Sequence, residues 1–315
     1  MSKMKAVVYN KKGIPDRLIY CDVEKPVPND NEVLIKIVAA SVNAADYRSM
    51  SMGIIPKRRI FGADIAGRVV SAGKNIRQFK PGDEVTGDLA SYGFGGFAEY
   101  TVAPEKALIL KPAKLSFEDT AALPLAALTA LQALSNKGKI RKGQKVLISG
   151  SGGGVGTYAV QLAKYFGAEV TAVCSTKNVK QTISLGADYV IDYTKEDFTK
   201  NKERYDIILA VNGNRSLSAY RRILNPDGIY VMVGGALPQI FKSLIFGRLM
   251  SFGSRKMLSL AAKPNQEDLE FIVKLAEDGR IKPVIDRRYP LDKTADAMRY
   301  VSEGHASGKV VINVE

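Results

Sequence analysis

The chain is poor in the residues that build metal centres and disulfide frameworks. Its 315 residues contain two cysteines, Cys21 and Cys174, and one histidine, His305. Two cysteines make no disulfide framework, and with a single histidine they cannot supply a Cys/His zinc site of the usual kind. Ser-His-Asp hydrolysis would have to use His305, near the C-terminus, and no G-x-S-x-G elbow precedes a helix. Long apolar runs are missing too. The longest, Ala121 to Leu134, is too short to span a bilayer and is interrupted by Pro124. Met4 to Tyr9 already reads as a strand, with no apolar segment behind a basic start. No secretory or transit segment is therefore expected, and a cytoplasmic protein is.

Acidic residues are the minority charge, 32 against 46 lysines and arginines, for a formal net charge of +14. Such a balance suits an anionic partner: a phosphorylated cofactor, an acidic surface or nucleic acid. Basic clusters stand at Lys57-Arg58-Arg59, Lys137 to Lys145 and Arg248 to Lys256, and none is interleaved with aromatics. Nucleic-acid binding is thus permitted by the charge and not favoured by its pattern; a solvated basic face is the preferred reading.

What the chain does have is glycine in one informative place. Ser149-Gly150-Ser151-Gly152-Gly153-Gly154-Val155-Gly156 follows the apolar stretch Lys145-Val146-Leu147-Ile148 and opens onto Tyr158 to Lys164. Strand, glycine turn and helix in that order form the context of a dinucleotide-binding fingerprint. Glycine permits positive φ and close backbone approach, and the helix start offers free N–H groups to a pyrophosphate. Counted back from Gly156 and Gly153, Ser151 stands where a strict G-x-G-x-x-G has its first glycine.

Around this turn the character of the chain changes. The first 120 or so residues read as strands and turns, including Val33 to Ala40, Gly67 to Ala72 and a Pro81-Gly82-Asp83 turn before Glu84-Val85. Ala121 to Leu134 reads as helix. A βα rhythm follows: strand 146–149, helix 155–166, strand 169–173, helix 179–185, strand 189–191, strand 207–211, helix 217–224 and strand 229–233. This is the pattern of a doubly wound parallel sheet. The tail holds one amphipathic helix, 269–276, and a final strand, 309–314, expected to return to the first domain. The organisation expected is 1–123 and 263–315 as one domain in two pieces, with 124–262 inserted as a Rossmann domain. Phe241 to Leu260, rich in Phe, Leu, Met and Arg, suits a substrate lid, an oligomer contact or a membrane-surface helix without distinguishing them.

Four segments together resemble the zinc-free quinone oxidoreductase (zeta-crystallin-like) branch of the medium-chain dehydrogenase/reductase superfamily. They are Ala40-Ser41-Val42-Asn43-Ala44-Ala45-Asp46, Pro81-Gly82-Asp83-Glu84-Val85, Gly96-Phe97-Ala98-Glu99-Tyr100, and the Gly-Gly-Val-Gly turn with Ala159 to Lys164. The likeness runs to Gly308-Lys309-Val310-Val311-Ile312. It implies an α/β protein with a Rossmann doubly wound parallel sheet inserted into a GroES-like β-rich catalytic domain, and members are commonly dimers or tetramers, so a homodimer is expected. Where the zinc-dependent branch has its first catalytic cysteine this chain has Asn43, and where that branch has Gly-His-Glu it has Gly62-Ala63-Asp64. The structural-zinc lobe is missing as well. No metal is expected, and ordinary alcohol oxidation loses its Lewis acid.

The implied activity is NADPH-dependent hydride transfer to a quinone or an α,β-unsaturated carbonyl. The alternatives are an NADP-dependent alcohol or aldehyde oxidoreductase of the same fold, and an NADPH-binding protein with a nucleic-acid or protein-binding role. NADPH is expected over NADH because the second strand ends in Cys174-Ser175-Thr176-Lys177 without a carboxylate, leaving Ser175 and Lys177 for a 2′-phosphate. By resemblance Asn43 faces the nicotinamide and substrate, its amide a donor to a developing oxyanion, although asparagine there could equally cap the next helix. Tyr47 is the second catalytic candidate, and Asp46 is expected to pair with Arg48. The cofactor-binding candidates are Thr129, Ser151, Gly153, Gly154, Val155, Gly156, Ser175, Lys177, Tyr193, Val211, Gly234, Gly235, Gly308 and Lys309. With His305 in a Gly-His-Ala-Ser-Gly turn, no side chain stands out as a general acid, and protonation from water is expected.

Overall fold

The computed structural model describes residues 2–10, 17–235, 245, 250–251 and 253–315. Residues 241–244, 246–249 and 252 of the Phe241 to Leu260 segment, Arg248 of the third basic cluster among them, lie outside the described residues. By contact the chain divides into two compact units, Met1–Leu128 with Lys263–Glu315 and Thr129–Ala262.

The first unit begins with β1 (Lys3–Tyr9), β2 (Leu18–Glu24) and β3 (Glu32–Val42). Helix α1 (Ala44–Ser51) follows, then β4 (Asp64–Ala72), β5 (Glu84–Asp88), β6 (Tyr100–Pro104) and β7 (Leu108–Leu110). β3 pairs with β4 along most of its length and with β6 at its start, and its side chains are buried except near Lys36, so its apolar run is nearly continuous. The helical stretch expected from Ala121 to Leu134 is broken in two. Helix α2 (Phe117–Ala121) stops short of Pro124, and α3 (Pro124–Gln132) starts on it, because proline lacks the N–H an interior position needs yet suits the first. Residues 133–137 then widen into a π-type turn.

The second unit carries β8 (Lys145–Ser149), α4 (Gly154–Tyr165), β9 (Glu169–Cys174), α5 (Val179–Ser184), β10 (Tyr189–Asp192), β11 (Tyr205–Ala210), α6 (Leu217–Arg222), β12 (Leu224–Met232) and β13 (Lys256–Ser259). They form one six-stranded sheet in the order β10-β9-β8-β11-β12-β13, every pair parallel. Counted from the glycine turn this is the 3-2-1-4-5-6 order of a Rossmann fold. The sequence rhythm stopped one strand early: β13 has four residues and no neighbouring helix signal to announce it. The sheet's core joins Leu147, Ile208, Tyr220 and Tyr230, the last two rings 5.0 Å apart.

The tail returns to the first unit. After α7 (Gln266–Glu277) come β14 (Ile285–Pro290), α8 (Thr294–Ser302) and β15 (Lys309–Asn313). β15 pairs antiparallel with β3, placing Val310 opposite Val42, and completes the seven-stranded sheet. β14 and α8 were not expected. β14 is an edge strand whose Arg287 and Arg288 are exposed, so it lacks apolar alternation, and α8 buries only Thr294, Ala297 and Met298. Among the described residues no helix is long and apolar enough to cross a membrane.

Candidate active site

The second unit's site is made of backbone. β8 delivers the chain to Gly150, whose φ of +90° takes it into the turn, and Gly153 caps α4 in an extended conformation. A Cβ on Gly156 would lie 2.1 Å from the Gly150 carbonyl oxygen, so only glycine lets α4 start against the turn. At Gly153 the reverse holds: a Cβ would meet nothing nearer than the same oxygen at 4.0 Å. That open space lies over the first turn of a helix whose leading N–H groups, from Gly154, Val155 and Gly156, have no partner within the helix. A diphosphate fits such a cradle. Ser151 is wholly buried, its hydroxyl donating to the Val173 carbonyl at 3.1 Å. It therefore serves the turn with its backbone, and its side chain ties β8 to the end of β9.

At that end Ser175 and Lys177 follow Cys174 in a short 3₁₀ turn, with Lys177 exposed. The turn is tied by a residue the sequence reading did not single out. Asp192, in register with Cys174, accepts hydrogen bonds from the Thr176 hydroxyl at 2.6 Å and from the Thr194 hydroxyl at 2.7 Å. The Thr176 bond, foremost, holds its carboxyl below the usual carboxylate range. Tyr193 donates its N–H to the Cys174 carbonyl and leaves its ring exposed. At the neighbouring strand ends Val211 donates to Ser149, Gly234 donates to Ala210, and Gly235 (φ +139°) bridges Gly213. The turn and these strand ends gather at the carboxyl edge of one parallel sheet, where ligands of open α/β sheets bind. Thr129 is a buried residue of α3.

The first unit's site is made of side chains from distant parts of the chain. Asp64, wholly buried at the start of β4, accepts four hydrogen bonds. Its Oδ2 takes the Ser41 hydroxyl (2.9 Å), the Asn43 amide (2.8 Å) and the Lys309 ammonium (3.3 Å), while its Oδ1 takes the backbone N–H of Leu125 (2.9 Å). Lys309, 2% exposed on β15, also donates to Asn43 Oδ1 at 2.5 Å. The second N–H of the Asn43 amide turns to the Ser41 carbonyl at 3.3 Å. The Asn43 amide is thus spent inside the protein, which changes the donor role expected of it. Lys309, expected at the cofactor, sends its ammonium to Asn43 and Asp64; Gly308 before it has φ +139°.

Asp46 does not pair with Arg48. Its two carboxylate oxygens accept the N–H groups of Asn43 (2.7 Å) and Gly62 (3.1 Å), closing the start of α1. Being buried without a direct cation, it has its carboxyl pushed up to about 7. Asp88, opposite Asp64 in the β4–β5 ladder, is likewise pushed up to about 7 by burial and by the Asp64 charge. Tyr47 packs its half-buried ring against the first unit's core beside Arg48. His305 is exposed. Asp64 and Asp88 were not expected at the site, although an Asp at the end of each of two apolar strands was a usable signal.

The residues do not fit zinc. Ala63 has no donor atom, and the oxygens of Asn43 and Asp64 already hold the Lys309 ammonium. Among the described residues no group of three His, Cys, Asp or Glu could hold a metal ion.

The chain is similar to known proteins along its whole length. Residues 29–113 match the alcohol dehydrogenase GroES-like domain, and residues 185–312 match the zinc-binding dehydrogenase family. The chain is 34% identical to the chloroplast envelope quinone oxidoreductase homolog of Arabidopsis thaliana, over 98% of both chains. It is 32% identical to the NADPH-dependent alkenal/one oxidoreductase, chloroplastic, of the same plant, covering 98% of this chain and 79% of that one. Among solved structures the quinone oxidoreductase from Coxiella burnetii superposes with a TM-score of 0.90 at 30% identity, over the whole of both chains. With its Rossmann sheet, its GroES-like unit and likeness along its full length, the chain belongs to the medium-chain dehydrogenase/reductase superfamily, in the quinone oxidoreductase branch.

Proposed function

We propose that this protein is a zinc-independent, NADPH-dependent oxidoreductase that reduces a quinone or the alkene of an α,β-unsaturated carbonyl. The observation that carries the reading is that the Asn43 amide oxygen and the Asp64 carboxylate hold a buried ammonium, beside an Ala63 that has no donor atom for a metal. A conjugated acceptor needs a Lewis acid at its oxygen less than a simple aldehyde or ketone does, because the incoming charge is delocalised.

The dihydronicotinamide, when bound, supplies the hydride; the protein binds, orients and excludes water. Gly153, Gly154, Val155 and Gly156 would hold the diphosphate through backbone N–H groups. Ser175 and Lys177 would take the 2′-phosphate, with Tyr193 against the adenosine ribose. Thr129, Val211, Gly234, Gly235 and Gly308 would line the nicotinamide end. Asn43 and Lys309 would stand by the reacting carbon and oxygen, with Tyr47 as a pocket wall. The name of the alkenal/one oxidoreductase relative supports NADPH, and the carboxylate-free end of β9 supports it independently. A cytoplasmic homodimer completes the proposal, to be checked by fractionation and light scattering.

The test is steady-state oxidation of NADPH and NADH by chelator-treated protein across quinones, enones, aldehydes and ketones. Turnover of quinones or enones, with NADPH favoured at least tenfold in kcat/KM, is expected. Turnover confined to aldehydes, or preference for NADH, would overturn the reading.

A further inference from the structure

Lys309 has more to give than its partners take. Its ammonium is buried, and it carries three N–H groups. One donates to Asn43 Oδ1 at 2.5 Å and one to Asp64 Oδ2 at 3.3 Å. No third partner exists among the described residues, and its only ion pair is with Asp64. A buried donor left over is costly unless a ligand uses it. Asn43, by contrast, has both amide N–H directions closed off by Asp64 and Ser41.

We propose that Lys309 is a catalytic residue whose third N–H meets the oxygen of the acceptor and stabilises the negative charge that arrives there. The proposal rests on the reading of the protein as a quinone or enone reductase and assigns to Lys309 the electrophilic role that a metal has elsewhere. In the reductive step the acceptor gains a hydride, two electrons and one hydrogen, at its β-carbon or ring. The displaced π electrons settle on oxygen as an enolate or hydroquinone anion, hydrogen-bonded by Lys309, which keeps its own proton. Water then supplies the proton that completes the neutral product. Donors preset where charge develops need no reorganisation, and burial strengthens them.

Asn43 and Asp64 are positioning residues. The Asn43 carbonyl and the Asp64 carboxylate fix two N–H directions of the ammonium and so fix the third. Ser41 and the Leu125 N–H in turn hold the carboxylate. Asp46 and Asp88 are the other acidic groups buried in this cluster.

Removing Lys309 alone strands Asp64, so the informative variant is the neutral pair Lys309→Met with Asp64→Asn. It is expected to melt cooperatively and to bind NADPH within about threefold of the parent, as read by cofactor fluorescence. Its kcat on an enone should fall by ~100-fold or more with KM changed little, the size seen when one oxyanion donor is lost. Quinone turnover should fall much less, because a quinone is the stronger electrophile. A merely structural lysine would depress both acceptors alike. The second readout needs no turnover: 4-nitrophenolate, an aryl-oxide stand-in for the anionic product, should bind the parent–NADP⁺ complex at least tenfold more tightly than the double variant's. Enone kcat within threefold of the parent in a folded double variant, or equal phenolate affinities, would overturn the proposal. If the double variant fails to fold, the phenolate comparison is made with Lys309→Gln and decides the matter alone. A parent enzyme inactive on all quinones and enones would instead defeat the functional reading itself, and this proposal with it.

Discussion

The two units of this molecule build their sites in opposite ways. In the Rossmann unit the site is backbone: a glycine turn, the N–H groups of α4 and the ends of parallel strands, with the Asp192 carboxylate tying a loop. In the β-rich unit the site is side chains: Ser41, Asn43, Asp64 and Lys309, with Asn43 and Lys309 coming from places 266 residues apart in the chain. A backbone site is intolerant of added volume but indifferent to charge. A buried side-chain site tolerates volume better and is acutely sensitive to charge balance, since each ion depends on its partner.

That contrast can be broken at several points. The largest effect is expected from Gly156→Ala. The new Cβ would press on the Gly150 carbonyl, backbone against backbone, so neither side can yield cheaply. NADPH affinity should fall by ~100-fold or more, about 2.7 kcal/mol, in a fluorescence titration. A variant binding normally would mean that the turn is not where the diphosphate sits.

Next comes Asp64→Ala, which leaves the Lys309 ammonium buried without its carboxylate. The expected loss is about 3–5 kcal/mol of stability, read as a lower urea midpoint with an unchanged slope. A loss below about 1 kcal/mol would show the pair to be water-exposed in solution.

The double variant Ser175→Ala, Lys177→Ala should weaken NADPH by ~10- to 100-fold, the worth of one or two charge-assisted hydrogen bonds, and leave NADH unchanged. Equal losses for the two cofactors would move the 2′-phosphate elsewhere.

The smallest effect is a pH dependence. Folded Asp88, pushed up to about 7, keeps a proton that the unfolded chain releases near the ordinary carboxylate range around 4. Between these values the unfolded state binds fewer protons, so stability falls as pH rises, and the loss is complete above about 7. Asp88→Asn is neutral throughout. It should melt a few degrees above the parent at pH 8 and with it at pH 4, by calorimetry. A higher melting point at both pH values would assign the gain to packing instead.

The same contrast explains what could be read in the sequence. Gly150 to Gly156 announced the Rossmann site because every residue that makes it is local, and the strand–turn–helix order can be recognised within twenty residues. Ser175 and Lys177 were legible for the same reason, through the absence of a carboxylate at the end of β9. Asp192 was not, because its role depends on parallel pairing with Cys174. In the other unit Asn43 was legible only by its position, and its actual partners are set by sheet pairing: Asp64 by β4 on β3, and Lys309 by β15 on β3 across nearly the whole chain. Local signals carry no account of which buried charges meet. Likewise β14, an edge strand with arginines on its face, and β13, four residues long, lacked the alternation or flanking helix that marks a strand, and Asp46 was assigned to Arg48 because that neighbour was near in sequence.

In the proposed reaction the hydride goes to a conjugated carbon. That destination is tested most directly by reducing an enone with NADPH deuterated at the transferable C4 position and locating the label in the product by mass spectrometry. The account predicts one deuterium on the β-carbon of a saturated ketone. Deuterium on the carbonyl carbon of an unsaturated alcohol would contradict it.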